Sequence, residues 1–88
     1  MNIFTGGSAY AMVRDIAEGF VIPSELTFKR YAPGDFVTFV QEADKLLREL
    51  RSNQVPLTDV DATQKRQRSI QRVQQAMTIA RSVQSRRG

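Results

Sequence analysis

Cysteine, histidine and tryptophan are all missing from this chain of 88 residues. Without cysteine, neither disulfides nor thiolate metal sites can reinforce a small fold. The same absences remove the commonest general base and the strongest nucleophile of enzymes. A metal site would have to rest on carboxylates alone, and the closest pair, Asp59 and Asp61, lacks the wider pattern of a calcium loop. We therefore predict a protein that is not an enzyme, with no cofactor, no metal and no small-molecule substrate.

Long apolar runs are missing as well. The longest run of large apolar residues has three members, Phe20 to Ile22, whereas roughly 20 are needed to cross a bilayer. The N-terminal region contains Asp15 and Glu18 and has no basic start followed by an apolar run, which argues against a signal or transit peptide. We expect a cytoplasmic or virion protein that makes no membrane contact and is not secreted by a signal peptide.

Acidic residues are absent from the last third of the chain. Residues 1–61 carry six basic and nine acidic side chains, whereas residues 62–88 carry seven basic ones and no acidic one. The overall charge of +4 therefore hides a C-terminal segment with a charge of +7. Such an asymmetry indicates a helix or tail that meets an acidic partner, either nucleic acid or an acidic protein surface.

Apolar side chains recur at helical spacing and predict a mainly α-helical single domain over residues 1–88. It has two shorter helices and a long basic C-terminal helix. A flexible lead over 1–7 precedes a helix over 8–19, with Ser8 as its N-cap and Gly19 as its stop. The core helix covers 33–52, with Pro33 at its first position. Its apolar stripe consists of Phe36, Val40, Ala43, Leu47 and Leu50. The side chains expected to build the body of the protein are Phe36, Phe39, Leu46, Leu47 and Leu50.

The segment around 20–32 is predicted to be irregular. Residues 26–31 are rich in aromatic and β-branched side chains, which is typical of a short strand. The same residues fit one helical turn after Pro23. Because no second strand candidate exists to pair with it, we favour an irregular or short helical structure.

The last helix is predicted over 59–85. Thr58 and Asp61 have the spacing of a capping signal that would start the helix at about Asp59, after a linker over 54–57. Its first turns, Thr63 to Gln67, carry almost no apolar side chain. We therefore expect this end to project from the body or to lie on a polar partner.

Two sets of side chains, on this last helix and at the two arginines that follow it, form the candidate partner-binding site. One is a basic set and the other is an apolar stripe at steps of three, four and three. Together they are Lys65, Arg66, Arg68, Ile70, Arg72, Val73, Met77, Ala80, Arg81, Arg86 and Arg87. The alternative for the stripe is the chain's own core, packed against the helix of 33–52. For the basic set, the alternative is a solvated face whose cations suit a helix C-terminus.

These features predict a non-enzymatic structural or assembly subunit. It would dock into a homo-oligomer or a larger hetero-assembly of protein subunits through the basic C-terminal helix. A virion or phage adaptor, connector or minor structural protein is the type we expect. The alternative is a small nucleic-acid-binding or regulatory protein that uses the same helix. No aromatic residue lies among the basic ones, which argues against a base-stacking mode for single strands.

Overall fold

The computed structural model describes residues 3–52, 56 and 58–86, and over these ranges the chain forms four helices and no strand. The helices are α1 (Ala9–Glu18), α2 (Glu25–Phe28), α3 (Pro33–Ser52) and α4 (Val60–Arg86). The prediction of a mainly helical chain with a long C-terminal helix is confirmed. Most of the predicted linker, the first two residues of the predicted lead, and Arg87 lie outside the described residues.

α1 has the two ends that its sequence predicts. The Ser8 hydroxyl accepts a hydrogen bond from the Ala11 backbone N–H over 3.1 Å, which satisfies one of the unpaired amides of the first turn. At the other end Gly19 has φ of 84°, and its N–H reaches the carbonyls of the last turn. This left-handed conformation favours glycine and ends the helix. Ahead of α1, Phe4 packs on Tyr31, so the lead contacts the core.

α2 is one helical turn within the segment of 20–32, for which the sequence allowed either a short strand or a helical turn. The Ser24 N–H donates to the Thr27 hydroxyl over 3.0 Å, and the Thr27 N–H donates back to the Ser24 carbonyl over 3.1 Å. These paired bonds close a helical N-terminus directly after Pro23. Residues 25–28 are therefore helical rather than extended.

α3 matches its predicted bounds and supplies the centre of the core. The Asp35 carboxylate accepts the Ala32 N–H over 2.8 Å at the start of the helix. Phe36 and Phe39 of α3 pack with Phe28 and Tyr31 in mostly edge-to-face contacts, which is the geometry that aromatic quadrupoles favour.

α4 begins one residue later than predicted, and its cap differs from the expected one. The Asp59 carboxylate accepts the Ala62 N–H over 3.0 Å, and the Asp59 carbonyl accepts the Thr63 N–H over 3.1 Å. Asp59 is therefore the N-cap, because its side chain is the one placed to reach the free amides of the first turn. The predicted pairing of Thr58 with Asp61 does not provide this cap. With 27 residues, α4 is about 40 Å long and spans most of the 45 Å length of the molecule.

Three helices, α1, α3 and α4, pack against one another pairwise, and α2 packs on α4. All five buried residues of α4 lie in its second half, from Val73 to Val83. The first half, including the predicted polar stretch of Thr63 to Gln67, contributes only half-buried or exposed residues. This arrangement places the α1–α2 connection and α2 beside the second half of α4.

Candidate docking surface

The apolar stripe of α4 belongs to the core of this chain. Val73, Met77 and Ala80 are 1%, 5% and 0% exposed, and Ile70 is partly buried against the same core. The apolar faces of α1 and α3 need a third helix to cover them, and this stripe covers them. The structure therefore corrects the partner-binding assignment of Val73, Met77 and Ala80, because no partner can reach these side chains in this fold.

Arg72 holds α1 and α4 together. Its guanidinium donates to the Ala17 carbonyl over 3.0 Å, and the Ser69 hydroxyl donates to the same oxygen over 3.0 Å. The last carbonyls of a helix lack intrahelical partners and carry partial negative charge. The Arg72 cation therefore caps the C-terminal end of α1. A Cβ atom added at Gly19 would lie 3.1 Å from the Arg72 guanidinium carbon, so the left-handed glycine also gives this contact its room.

Arg86 forms an ion pair with α2. Its guanidinium lies 2.6 Å from a carboxylate oxygen of Glu25, and both side chains are exposed. The hydrogen bond and charge of Arg86 lower the pKa of Glu25 from its usual value, and Glu25 raises the pKa of Arg86 in return. Water screens such a pair, so it orients the two side chains more than it stabilises the fold.

The other predicted cations divide into two groups. Lys65, Arg68 and Arg81 are exposed and form no ion pair with another residue of 3–52, 56 or 58–86. Arg66 is half-buried.

A shallow basic cleft brings together much of the predicted set, and its lining is Glu18, Leu50, Lys65, Arg66, Arg68, Ser69 and Arg72.

The structure reveals an exposed apolar cluster that our sequence analysis missed. Phe20, Ile22 and Leu26 are 79%, 88% and 75% exposed. The αL turn at Gly19 ends α1 just before an unbroken apolar run, and the non-helical segment that follows buries none of its side chains fully. For Phe20 and Ile22 the signal was the unbroken run of large apolar residues immediately before Pro23. Phe20 also continues the helical spacing of the α1 stripe, but α1 ends at Glu18 and leaves it exposed.

Two neighbouring pockets lie along α4, one lined by Ile22 and Ile79 and the other by Leu26 and Val83, and we call them together the α4 groove. One wall consists of Val21, Ile22, Pro23 and Leu26, and the other is a stripe of α4. The α4 residues recur at steps of three, four, four and three, so they share one helix face. They are Arg72, Gln75, Ile79, Val83 and Arg86.

Cations stand at both ends of the α4 groove. Arg72 lies at the end near α1, and Lys29 and Arg86 line the end near α2. Among the described residues that line the groove, Glu25 is the one acid, and Arg86 already contacts it. The groove therefore offers an apolar middle between two positively charged ends.

The described residues contain no group of three carboxylates placed to hold a metal ion, and their core buries no charged side chain. Among the helices described above, none combines the length and the apolar content needed to cross a bilayer. No family model, no curated protein and no solved structure matches the chain.

Proposed function

We propose that this chain is a non-enzymatic structural or assembly subunit that docks into a larger protein complex. The observation that carries the proposal is the group of exposed apolar residues Phe20, Ile22 and Leu26, of which Ile22 and Leu26 line the α4 groove. Single exposed apolar residues are ordinary, but three within seven positions, two of which also line a groove, are typical of an interaction surface. This surface replaces the α4 stripe as the candidate for docking, since the stripe is used in the core.

The type of assembly that we propose is a virion or phage component, in the role of an adaptor, connector or minor structural protein. Its support is compositional: a small helical chain without cysteine and with a basic C-terminal segment. Sedimentation of the native chain tests the proposal. After nuclease treatment, at low and at high salt, we expect the chain in fractions far heavier than its own 10.0 kDa. Recovery of all of it as a free monomer would refute the assembly role.

A second candidate is nucleic-acid binding through the basic cleft. Lys65, Arg66, Arg68 and Arg72 converge there with a single acid, Glu18, among the lining residues. Cations that neutralise phosphates release counterions, so such binding must weaken as salt rises. This candidate ranks second for two reasons. Arg72 already caps α1, and contact with phosphates would not explain why the fold leaves large apolar side chains exposed.

A charge-matched pair of variants tests the second candidate. Lys65→Ala/Arg68→Ala removes two cations from the cleft at i, i+3 spacing, and Lys45→Ala/Arg48→Ala removes two at the same spacing on α3. If the cleft binds DNA or RNA, only the first variant makes the slope of log affinity against log salt shallower. The expected change corresponds to the loss of about two phosphate contacts. Equal effects of the two variants, or a wild type without salt-sensitive binding, would exclude this function.

A further inference from the structure

We propose that the α4 groove binds an amphipathic helix with acidic flanks, supplied by a partner protein. This inference rests on the assembly role proposed above and names the site and the chemistry of the partner. Ile22, 88% exposed, lines one pocket of the groove together with Ile79, and Leu26, 75% exposed, lines the other together with the 8% exposed Val83. A partner that covers these side chains removes apolar area from water, which favours association.

The shape of the site favours a helix over an extended segment. An extended peptide gains affinity by adding a strand to a sheet edge, and the described ranges of this chain contain no strand. A helix satisfies its own backbone hydrogen bonds and needs only an apolar stripe. The α4 residues that line the two pockets extend from Arg72 to Arg86, about 21 Å at 1.5 Å per residue, so a partner helix that covers both pockets needs about four turns.

The charges at the two ends favour acidic flanks. Arg72 is held in place by its hydrogen bond to the Ala17 carbonyl, so little side-chain entropy is lost when an anion meets it. Lys29 and Arg86 line the other end, where Arg86 already contacts Glu25 and Lys29 forms no ion pair with another residue of the described ranges. A partner with Glu or Asp beyond both ends of its apolar stripe would therefore meet a cation at each end, whereas a basic partner would be repelled.

The same charges argue against a second copy of this chain as the occupant. A two-fold symmetric dimer through the groove would bring identical patches together. Arg72 and Lys29 would then face cations of the other copy, and Glu25, the one acid that lines the groove, already contacts Arg86 of its own chain. Like charges across an interface cost affinity, so an acidic partner suits this surface better than its own copy.

The test uses three synthetic peptides of about 15 residues. One has Leu at i, i+4, i+7 and i+11 with Glu at both ends, the second has Lys in place of Glu, and the third scrambles the first. Binding is followed by amide shifts in NMR spectra of the labelled full chain. We expect the Glu peptide to bind at least about tenfold more tightly than the Lys and scrambled peptides. The shifts should centre on Ile22, Leu26 and Ile79.

Two charge-matched variants locate the site. Ile22→Asp should weaken binding of the Glu peptide by about tenfold or more, whereas Val37→Asp should not, because Val37 is exposed on α3 and lines no part of the groove. Circular dichroism checks that both variants stay folded. Equal binding of the Glu and Lys peptides, or equal effects of the two variants, would overturn the proposal.

Other occupants would show themselves in the same experiments. Shifts at Ile22 and Leu26 that grow with protein concentration alone would mean that a second copy fills the groove. Ile22-dependent binding to vesicles of anionic phospholipid, without binding of the Glu peptide, would mean a lipid surface. Either result would overturn the proposal that a partner helix occupies the α4 groove. If none of the peptides binds but the native chain still sediments in heavy fractions, the assembly role stands and only the proposed role of the α4 groove is refuted.

Discussion

The guanidinium of Arg72 donates a hydrogen bond to the carbonyl of Ala17, 55 positions earlier in the chain, over 3.0 Å. This contact joins the middle of α4 to the C-terminal end of α1. Arg72, which the sequence analysis assigned to partner binding, therefore stabilises the packing of α1 on α4. The same cation remains at the end of the α4 groove, where it gives the groove one of its charged ends.

Replacing Arg72 with Ala should destabilise the fold, because the last carbonyls of α1 lose a charged donor. We expect a loss of about 1–2 kcal/mol in the free energy of unfolding, measured by urea denaturation with circular dichroism. Arg68→Ala is the matched control, since Arg68 is exposed and makes no ion pair with another described residue. It should change stability by about 0.5 kcal/mol or less. Equal losses for the two variants would show that the α1 cap contributes nothing.

Truncating Met77 should be costly because this side chain fills the core. Met77→Ala should lower the free energy of unfolding by about 2–4 kcal/mol, a large part of the margin of a small domain. Leu26→Ala, at a 75% exposed position, should cost about 0.5 kcal/mol or less. Thermal and urea unfolding of the two variants side by side measures the difference. A stable Met77→Ala chain would restore the α4 stripe as a candidate partner surface.

Tyr31 should make the fold sensitive to alkali. Burial among aromatic rings, reinforced by the Asp35 charge, raises the pKa of Tyr31 from 10.0 to about 12. Since the fold favours the protonated phenol, this contribution to stability is complete below pH 10 and is lost as the pH rises toward 12. Tyrosinate absorbance of a Tyr10→Phe variant, which leaves Tyr31 as its one tyrosine, reports the titration. Ionisation near pH 10 in a chain that is still folded would contradict this description of the core.

The ion pair of Glu25 with Arg86 should show in the titration of the carboxylate. Arg86 lowers the pKa of Glu25 below its usual 4.5. Its small contribution to stability is therefore present above pH 4.5 and is lost as the pH falls through the lower, folded value. Carbon NMR of the side-chain carboxyl should find a higher pKa in an Arg86→Gln variant than in the wild type. An unchanged pKa would mean that the two side chains do not meet in solution.

The sequence predicted the helices well where strong local signals existed. Ser8 and Gly19 mark the two ends of α1, because a hydroxyl cap and a left-handed glycine act through the nearest backbone groups. Pro33 begins α3 for the same kind of reason, since its missing N–H costs nothing at a helix start. The start of α4 was placed less well because Thr58, Asp59 and Asp61 all have side chains that can cap, and only geometry selects Asp59.

The candidate site was harder to predict, because it depends on which surfaces the folded chain covers. The α4 stripe of Val73, Met77 and Ala80 has the same spacing whether it faces a partner or its own α1 and α3. Arg72 could be assigned to α1 only once the distance to Ala17 was known. In contrast, Ile22 lies in a short non-periodic segment, where no pattern shows which side chains point outward.

The central claim is that this chain enters a larger assembly through the surface around Ile22. Incorporation of tagged variants into the native complex, followed by sedimentation after nuclease treatment, tests it most directly. Wild type and Val37→Asp should sediment with the complex, whereas Ile22→Asp should remain near 10.0 kDa with its helical content unchanged. Incorporation of Ile22→Asp at the level of the wild type, or a wild type that stays free, would contradict the claim.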